Sequence, residues 1–219
     1  MTDVRENCRR ILERIRNTAA RCGRDPSSVR LIAVTKTVSA DQIREAIAAG
    51  VSDIGENRLQ EALPKRQDLA DVPLTWHFIG HLQTNKAKKA AEEFDWIQCV
   101  DRPELADKLN QAAAKNLPVL IEVKLHGEPT KSGITEDQLR GFIDQFSRWK
   151  RLELRGLMAI PPLFDSPEDV RPYFRRLRVL AQEHGLRELS MGMSHDFEVA
   201  VEEGATMVRV GTALFGERT

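Results

Sequence analysis

The feature that most limits the fold is a repeat: a short apolar run, a loop, then a stretch with helical spacing, recurring along nearly the whole chain. The runs lie at 31–36, 53–57, 75–80, 96–100, 118–124, 154–160, 186–191 and 206–210. They are too apolar to leave one face in water, which is the signature of parallel strands covered by helices. Eight such units in 219 residues match a compact TIM barrel with few insertions. An open doubly wound sheet is the alternative, but no GxGxxG follows the first strand. The chain also begins with a helix and ends just after a strand, so the amino-terminal helix can fill the last gap in the ring. With no linker and no shift in composition, the reading is α/β: a single-domain TIM (β/α)8-type barrel over 1–219 with an additional amino-terminal helix.

Local signals support the helices. Val4, Cys8, Ile11, Leu12, Ile15 and Ala19 make one apolar face over 2–22, with Asn or Thr available as a cap and Gly23 as a stop. Ser39 is an N-cap for a helix ending at Gly50. Pro64 is expected to weaken the helix over 60–69 or break its first half. A basic helix opens at 84–89, another follows Asp101 with Pro103 in its first turn, and the rest span 135–148, 166–184 and 195–203.

Composition excludes several function classes. Lys plus Arg and Asp plus Glu balance at 33 each, against a general footprint for nucleic acid or anionic membrane. No apolar run is long enough to span a bilayer. The charged stretch 1–16 lacks the apolar core of a secretory signal, so a cytoplasmic location is expected. Cys8, Cys22 and Cys99 are odd in number and far apart, which argues against a disulfide framework or a zinc site. The five histidines are scattered, and no metal is expected.

In a barrel, the loops after the strands meet at one mouth. The strand ends here bring Lys36, Asn57, 77–80, Lys124, Met158, 190–194 and 209–212. Lys36 is either an amine able to form a Schiff base or a strand-end lysine snorkelling into water. The ends carry no paired carboxylates, against two-acid hydrolysis. Met191-Gly192-Met193-Ser194 and Val208-Arg209-Val210-Gly211-Thr212 follow the last two strands, where this fold recurrently holds phosphate. Each motif alone also reads as ordinary capping and a tight turn. A histidine such as His77 on an apolar strand is by default a satisfied core residue, and Met158, Met191 and Met193 are by default core filler. Lys86, Lys88 and Lys89 read as a solvated helix face or a basic patch, and Lys131, in a turn-rich loop, as a residue that greets an anion.

A lysine able to form an imine and a phosphate cradle on one mouth point to pyridoxal 5′-phosphate. At 33–36, 55–57, 76–80, 82–86, 131–133, 156–160, 189–194 and 208–212 the sequence resembles the pyridoxal phosphate homeostasis proteins, single-domain barrels similar to the amino-terminal domain of alanine racemase. The resemblance implies that Lys36 carries the cofactor as an internal aldimine. It implies that Ser194, Gly211 and Thr212 hold the phosphate, with Met193 supplying backbone nearby. Arg209 would face the pyridine nitrogen, and Asn57, His77 and Met158 would line the ring. His81 and His195 stand where relatives vary.

Two functions remain on this reading. One is a monomeric carrier or regulator that holds the cofactor for intracellular vitamin B6 homeostasis, with cofactor-free enzymes as its recipients. The other is a pyridoxal phosphate-dependent racemase or decarboxylase. An arginine at the pyridine nitrogen disfavours protonation there and makes the ring a poor electron sink. Racemisation also needs two acid/base groups on opposite faces. In alanine racemase the second comes from a carboxyl-terminal domain and a partner subunit, and the chain given ends at Thr219, a few residues after its last strand. That favours the carrier. A lysine-dependent aldolase is a third use of an imine-forming lysine.

Overall fold

In the computed structural model, which describes residues 3–126 and 132–217, parallel strands close into a barrel. They are β1 (Arg30–Val34), β2 (Asp53–Glu56), β3 (Thr75–Phe78), β4 (Trp96–Val100), β5 (Leu117–Glu122), β6 (Leu152–Met158), β7 (Glu188–Ser190) and β8 (Met207–Val210). Each pairs with the next and β8 pairs with β1, so no edge is left open. The helices are α1 (Val4–Arg21), α2 (Ala40–Ala48), α3 (Leu59–Asp68), α4 (Ala87–Glu93), α5 (Pro103–Ala112), α6 (Glu136–Asp144), α7 (Arg171–Glu183), α8 (Phe197–Glu202) and α9 (Thr212–Phe215). The barrel expected from the repeat is the fold observed.

The amino-terminal helix fills the expected gap. The helix after β8 has only four residues, and α1 packs against α8, α9 and α2 instead. Its stripe of Val4, Cys8, Ile11, Ile15 and Ala19 is buried. The cap is Asp3 rather than Asn or Thr: its carboxylate accepts the Glu6 N–H at 3.0 Å. Pro64 does not break α3, which runs through it and keeps Leu59 and Ala62 in the core. One missing backbone donor is outweighed by that packing. The basic helix begins as a 3₁₀ turn over Thr84–Lys86 before α4.

Strand pairing sorts the interior. Residues directly opposite share a face, so Ile32 with Asp53, Val34 with Gly55 and His77, and Ile32 with Arg209 belong to one set. The hydrogen bonds of Asp53, His77, Gln98, Ser190 and Arg209 show that this set faces the barrel axis.

One buried charge cluster lies outside the barrel. Glu203, 4 % exposed at the end of α8, meets Arg171 at 3.1 Å, Arg175 at 3.0 Å and Arg178 at 3.2 Å. Burial opposes its charge, but hydrogen bonds from Arg175 and Arg171 hold the carboxyl below its usual range. A depressed folded value stabilises the fold above the unfolded value, and the gain is lost as pH falls through the folded one. The arginines are partly exposed, so Glu203→Gln should cost about 1–3 kcal/mol in urea unfolding at neutral pH. The difference from wild type should shrink in acid.

Candidate functional site

The first strand ends earlier than its apolar run. β1 stops at Val34, and Lys36 lies exposed in the following turn, where Thr37 takes φ +60°, a left-handed conformation for a non-glycine residue. That turn is pinned from α3 and β2. Lys65 Nζ donates to the Thr35 carbonyl at 2.6 Å and to Glu56 Oε1 at 2.7 Å. Thr35 Oγ1 donates to the same Glu56 oxygen at 2.6 Å, and the Thr37 N–H donates to Glu61 Oε2 at 3.1 Å. Lys36 itself makes no side-chain hydrogen bond or ion pair among the described residues. Sequence reasoning missed Glu56, Glu61 and Lys65 as its supports. Glu61 and Lys65 stand at i, i+4 on one helix face, a spacing that does not show which turn they support.

Neighbouring strands bring the other candidates to this turn. Val34 opposite Gly55 sets it beside Asn57, whose Oδ1 is buried without a partner. Ala33 opposite Val210 sets it beside Gly211 and Thr212. The loops after β7 and β8 are tied by Ser194, whose Oγ accepts the Gly211 N–H at 3.3 Å and the Ala213 N–H at 3.2 Å. The Ser194 and Thr212 N–H groups have no acceptor among the described residues. The Met193 N–H is taken by Asp196 Oδ1 at 2.6 Å. Burial raises the Asp196 carboxyl despite that bond. Gly192 sits at φ +88°, and a Cβ there would stand 2.4 Å from Ala200 Cβ.

Arg209 is 4 % exposed. It donates from Nη1 to Ser190 Oγ at 2.7 Å and from Nη2 to the Ala159 carbonyl at 2.9 Å. Burial pushes its pKa down to about 10, so it remains a cation at neutral pH. Met158, fully buried, lies in register between Glu122 and Ser190. His77 is placed deeper than expected. It is opposite Gly55, two residues below the Lys36–Asn57 level, with no exposed surface and both ring nitrogens occupied. It is enclosed in the barrel interior, held between Asp53 and Gln98. Burial lowers its pKa against the pull of Asp53.

The mouth also holds a cavity of about 530 Å³ lined by His81, Glu122, Lys124 and Ser132 among others. Lys36, Ser194 and Arg209 do not line it. Glu122, which the sequence did not single out, has its carboxyl raised by burial and accepts from Ser132 Oγ at 2.8 Å. A smaller cavity of about 210 Å³ is lined by Asn57, His81 and Lys86. Lys89, about half exposed, pairs with Glu93 at 2.6 Å. Lys131 lies outside the described residues. No group of three or more His, Cys, Asp or Glu side chains able to hold a metal occurs among the described residues. None of the described helices is long and apolar enough to cross a membrane.

The closed parallel barrel belongs to the family described as alanine racemase, N-terminal domain, which matches residues 7–219. Within it, the chain belongs to the pyridoxal phosphate homeostasis protein family. It is 47% identical to the proteins of that name from Aquifex aeolicus (97% of each chain) and Pseudomonas aeruginosa (100% of this chain, 97% of the relative). The structure of PipY from Synechococcus elongatus with PLP bound superposes with a TM-score of 0.82 at 43% identity, over 94% of this chain and 100% of that one. Alanine racemase from Corynebacterium glutamicum shares the fold, with a TM-score of 0.74 at 20% identity, over 99% of this chain and 61% of that one.

Proposed function

We propose that the chain binds pyridoxal 5′-phosphate at this mouth and serves its homeostasis by holding and releasing it. The observation that carries the reading is the exposed Lys36 on a pinned turn, beside the Ser194 and Thr212 amides, all without a partner among the described residues. The residues fit the group. Asn57 Oδ1 is a buried acceptor with no donor among the described residues, and the Ser194 and Thr212 N–H groups have no acceptor among them. The names of the curated relatives and the PLP-bound PipY support the same cofactor.

When bound, the cofactor supplies an aldehyde with which a primary amine condenses. Lys36 offers that amine for a Schiff-base linkage. Ser194, Gly211 and Thr212 hold the phosphate, and Met193 lends the backbone that leads into Ser194. Asn57 would border the ring, Met158 would lie beneath it, and Arg209 would face the pyridine nitrogen. As a fixed cation Arg209 disfavours a proton on that nitrogen, which weakens the ring as an electron sink. The cofactor is therefore stored more than used. On this reading the chain is one cytoplasmic, monomeric domain that gives the cofactor to cofactor-free enzymes.

Purified protein titrated with pyridoxal phosphate should develop a visible band that survives gel filtration. Ser194→Ala and Thr212→Val should each weaken retention by about 1–3 kcal/mol without unfolding the chain. Loaded wild type given L-alanine should show no multiple-turnover racemisation or decarboxylation beyond that of the free cofactor. Sustained turnover above that level would restore the racemase reading, and no binding would end both.

A further inference from the structure

Side chains from five strands form an unbroken line through the barrel interior. Arg209 on β8 donates to Ser190 on β7 at 2.7 Å, and Ser190 Oγ donates to Gln98 Oε1 on β4 at 2.6 Å. Gln98 Nε2 lies 3.0 Å from His77 Nδ1 on β3, and His77 Nε2 lies 2.9 Å from Asp53 Oδ1 on β2. Ser190, Gln98 and His77 have no exposed surface, Arg209 has 4 % and Asp53 has 7 %. The line runs from a buried cation on β8 to a carboxylate on β2, the two strands that flank β1, both opposite Ile32 in register.

The two ends decide which way every hydrogen points. A guanidinium can only donate, so Ser190 Oγ accepts from it and has one hydrogen left to give. That hydrogen goes to Gln98 Oε1, which turns the amide nitrogen toward His77. The other Nε2 hydrogen has Met207 Sδ at 3.4 Å. His77 Nδ1 must then be a bare acceptor, and the ring's single proton must sit on Nε2, facing Asp53. Asp53 accepts it, and its other oxygen accepts from Ser52 Oγ at 2.7 Å. Burial opposes the Asp53 charge, but the bonds from His77 and Ser52 keep its carboxyl below the usual range. A proton on Nδ1 would set two donors face to face. A reversed Gln98 amide would leave the Ser190 hydrogen with no acceptor.

We propose that Ser190, Gln98, His77 and Asp53 are positioning residues: they form a one-way hydrogen-bond relay that fixes the Arg209 guanidinium beneath the mouth, with His77 locked as the neutral Nε2–H tautomer. Each bond in a dry interior polarises the next, so the Asp53 carboxylate answers the Arg209 charge through the line without touching it. With Nη1 held by Ser190 and Nη2 by the Ala159 carbonyl, the guanidinium plane has one orientation. The relay stands without any ligand. Its consequence for cofactor binding rests on the reading that Arg209 faces pyridoxal phosphate.

The test starts with the ligand-free, ¹⁵N-labelled chain. Histidine-ring NMR should show His77 neutral at pH 7, protonated on Nε2 and bare on Nδ1. In Gln98→Glu a carboxylate replaces the amide donor while Asp53 still holds the other nitrogen, so the ring should become doubly protonated at the same pH. In Gln98→Leu the separate Arg209 Nη signals expected of wild type should merge by rotation. Retention of pyridoxal phosphate should fall about tenfold in that variant, as Arg209 loses its fixed orientation. A wild-type proton on Nδ1, or on both nitrogens, would overturn the relay, and this measurement needs no variant to fold. Unmerged Arg209 signals with unchanged retention in folded Gln98→Leu would overturn it as well. A wild type that bound no pyridoxal phosphate would overturn the functional reading, while the ring tautomer would still decide the relay.

Discussion

Lys36→Ala should lose the cofactor's visible band and its borohydride-stable attachment, while phosphate-directed binding persists in weakened form. Wild type treated with borohydride should carry the reduced ring on Lys36. The nearest competing amine in the supporting structure is Lys65, but its ammonium is spoken for by the Thr35 carbonyl and Glu56, and its side chain is only 12 % exposed. Its role is to hold the turn, so it cannot replace the missing amine without releasing Thr35. Retention in Lys36→Ala should drop at least ~10-fold, about 1.4 kcal/mol. Peptide mapping of the reduced wild type decides the matter. An adduct on Lys124 or Lys131 alone would move the site elsewhere on the mouth and leave Lys36 as a solvated lysine.

Gly192→Ala should damage the loop that carries Ser194. At φ +88° any Cβ is strained, and here it would also meet Ala200 Cβ at 2.4 Å and Phe197 Cα at 3.1 Å. Backbone strain and overpacking together should cost about 2–4 kcal/mol. The clash pushes α8 away from the loop that carries Ser194, so the Ser194 bonds to Gly211 and Ala213 should be disturbed too. Urea unfolding should show the loss of stability. Pyridoxal phosphate retention, measured where the variant is still folded, should fall with it. A variant as stable as wild type would mean that the loop can shift where the structure shows it packed.

Much of the fold was readable without coordinates because its signals are local. Eight apolar runs with helices between them leave few closed arrangements, and the apolar helical stripe over 2–22 ahead of the first strand offers the helix that completes the ring. Asp3 as the cap and the intact α3 across Pro64 were not readable in the same way. Capping depends on where the first turn starts, and Pro64 is tolerated only because Leu59 and Ala62 are buried on the barrel side. The site divides along the same line. That Lys36, Asn57, Ser194, Gly211 and Thr212 follow neighbouring strand ends was legible because strand ends in a barrel must converge. Lys65, Glu56 and Glu61 were not, since nothing in their spacing shows which turn a helix will return against.

The amino-acid sequence by itself determined the closed parallel barrel, the family and the strand ends that meet at its mouth, because period, turn residues and motifs act over short stretches of chain. Only the tertiary structure decided how deep each inward side chain sits and what it bonds. His77 belongs to the interior and not the rim, since the β2–β3 register sets it level with Gly55 and between Asp53 and Gln98. The direction of every hydrogen from Arg209 to Asp53 likewise required five strands to be in place, because a hydrogen-bond line is defined by neighbours in space and these residues are scattered from position 53 to position 209.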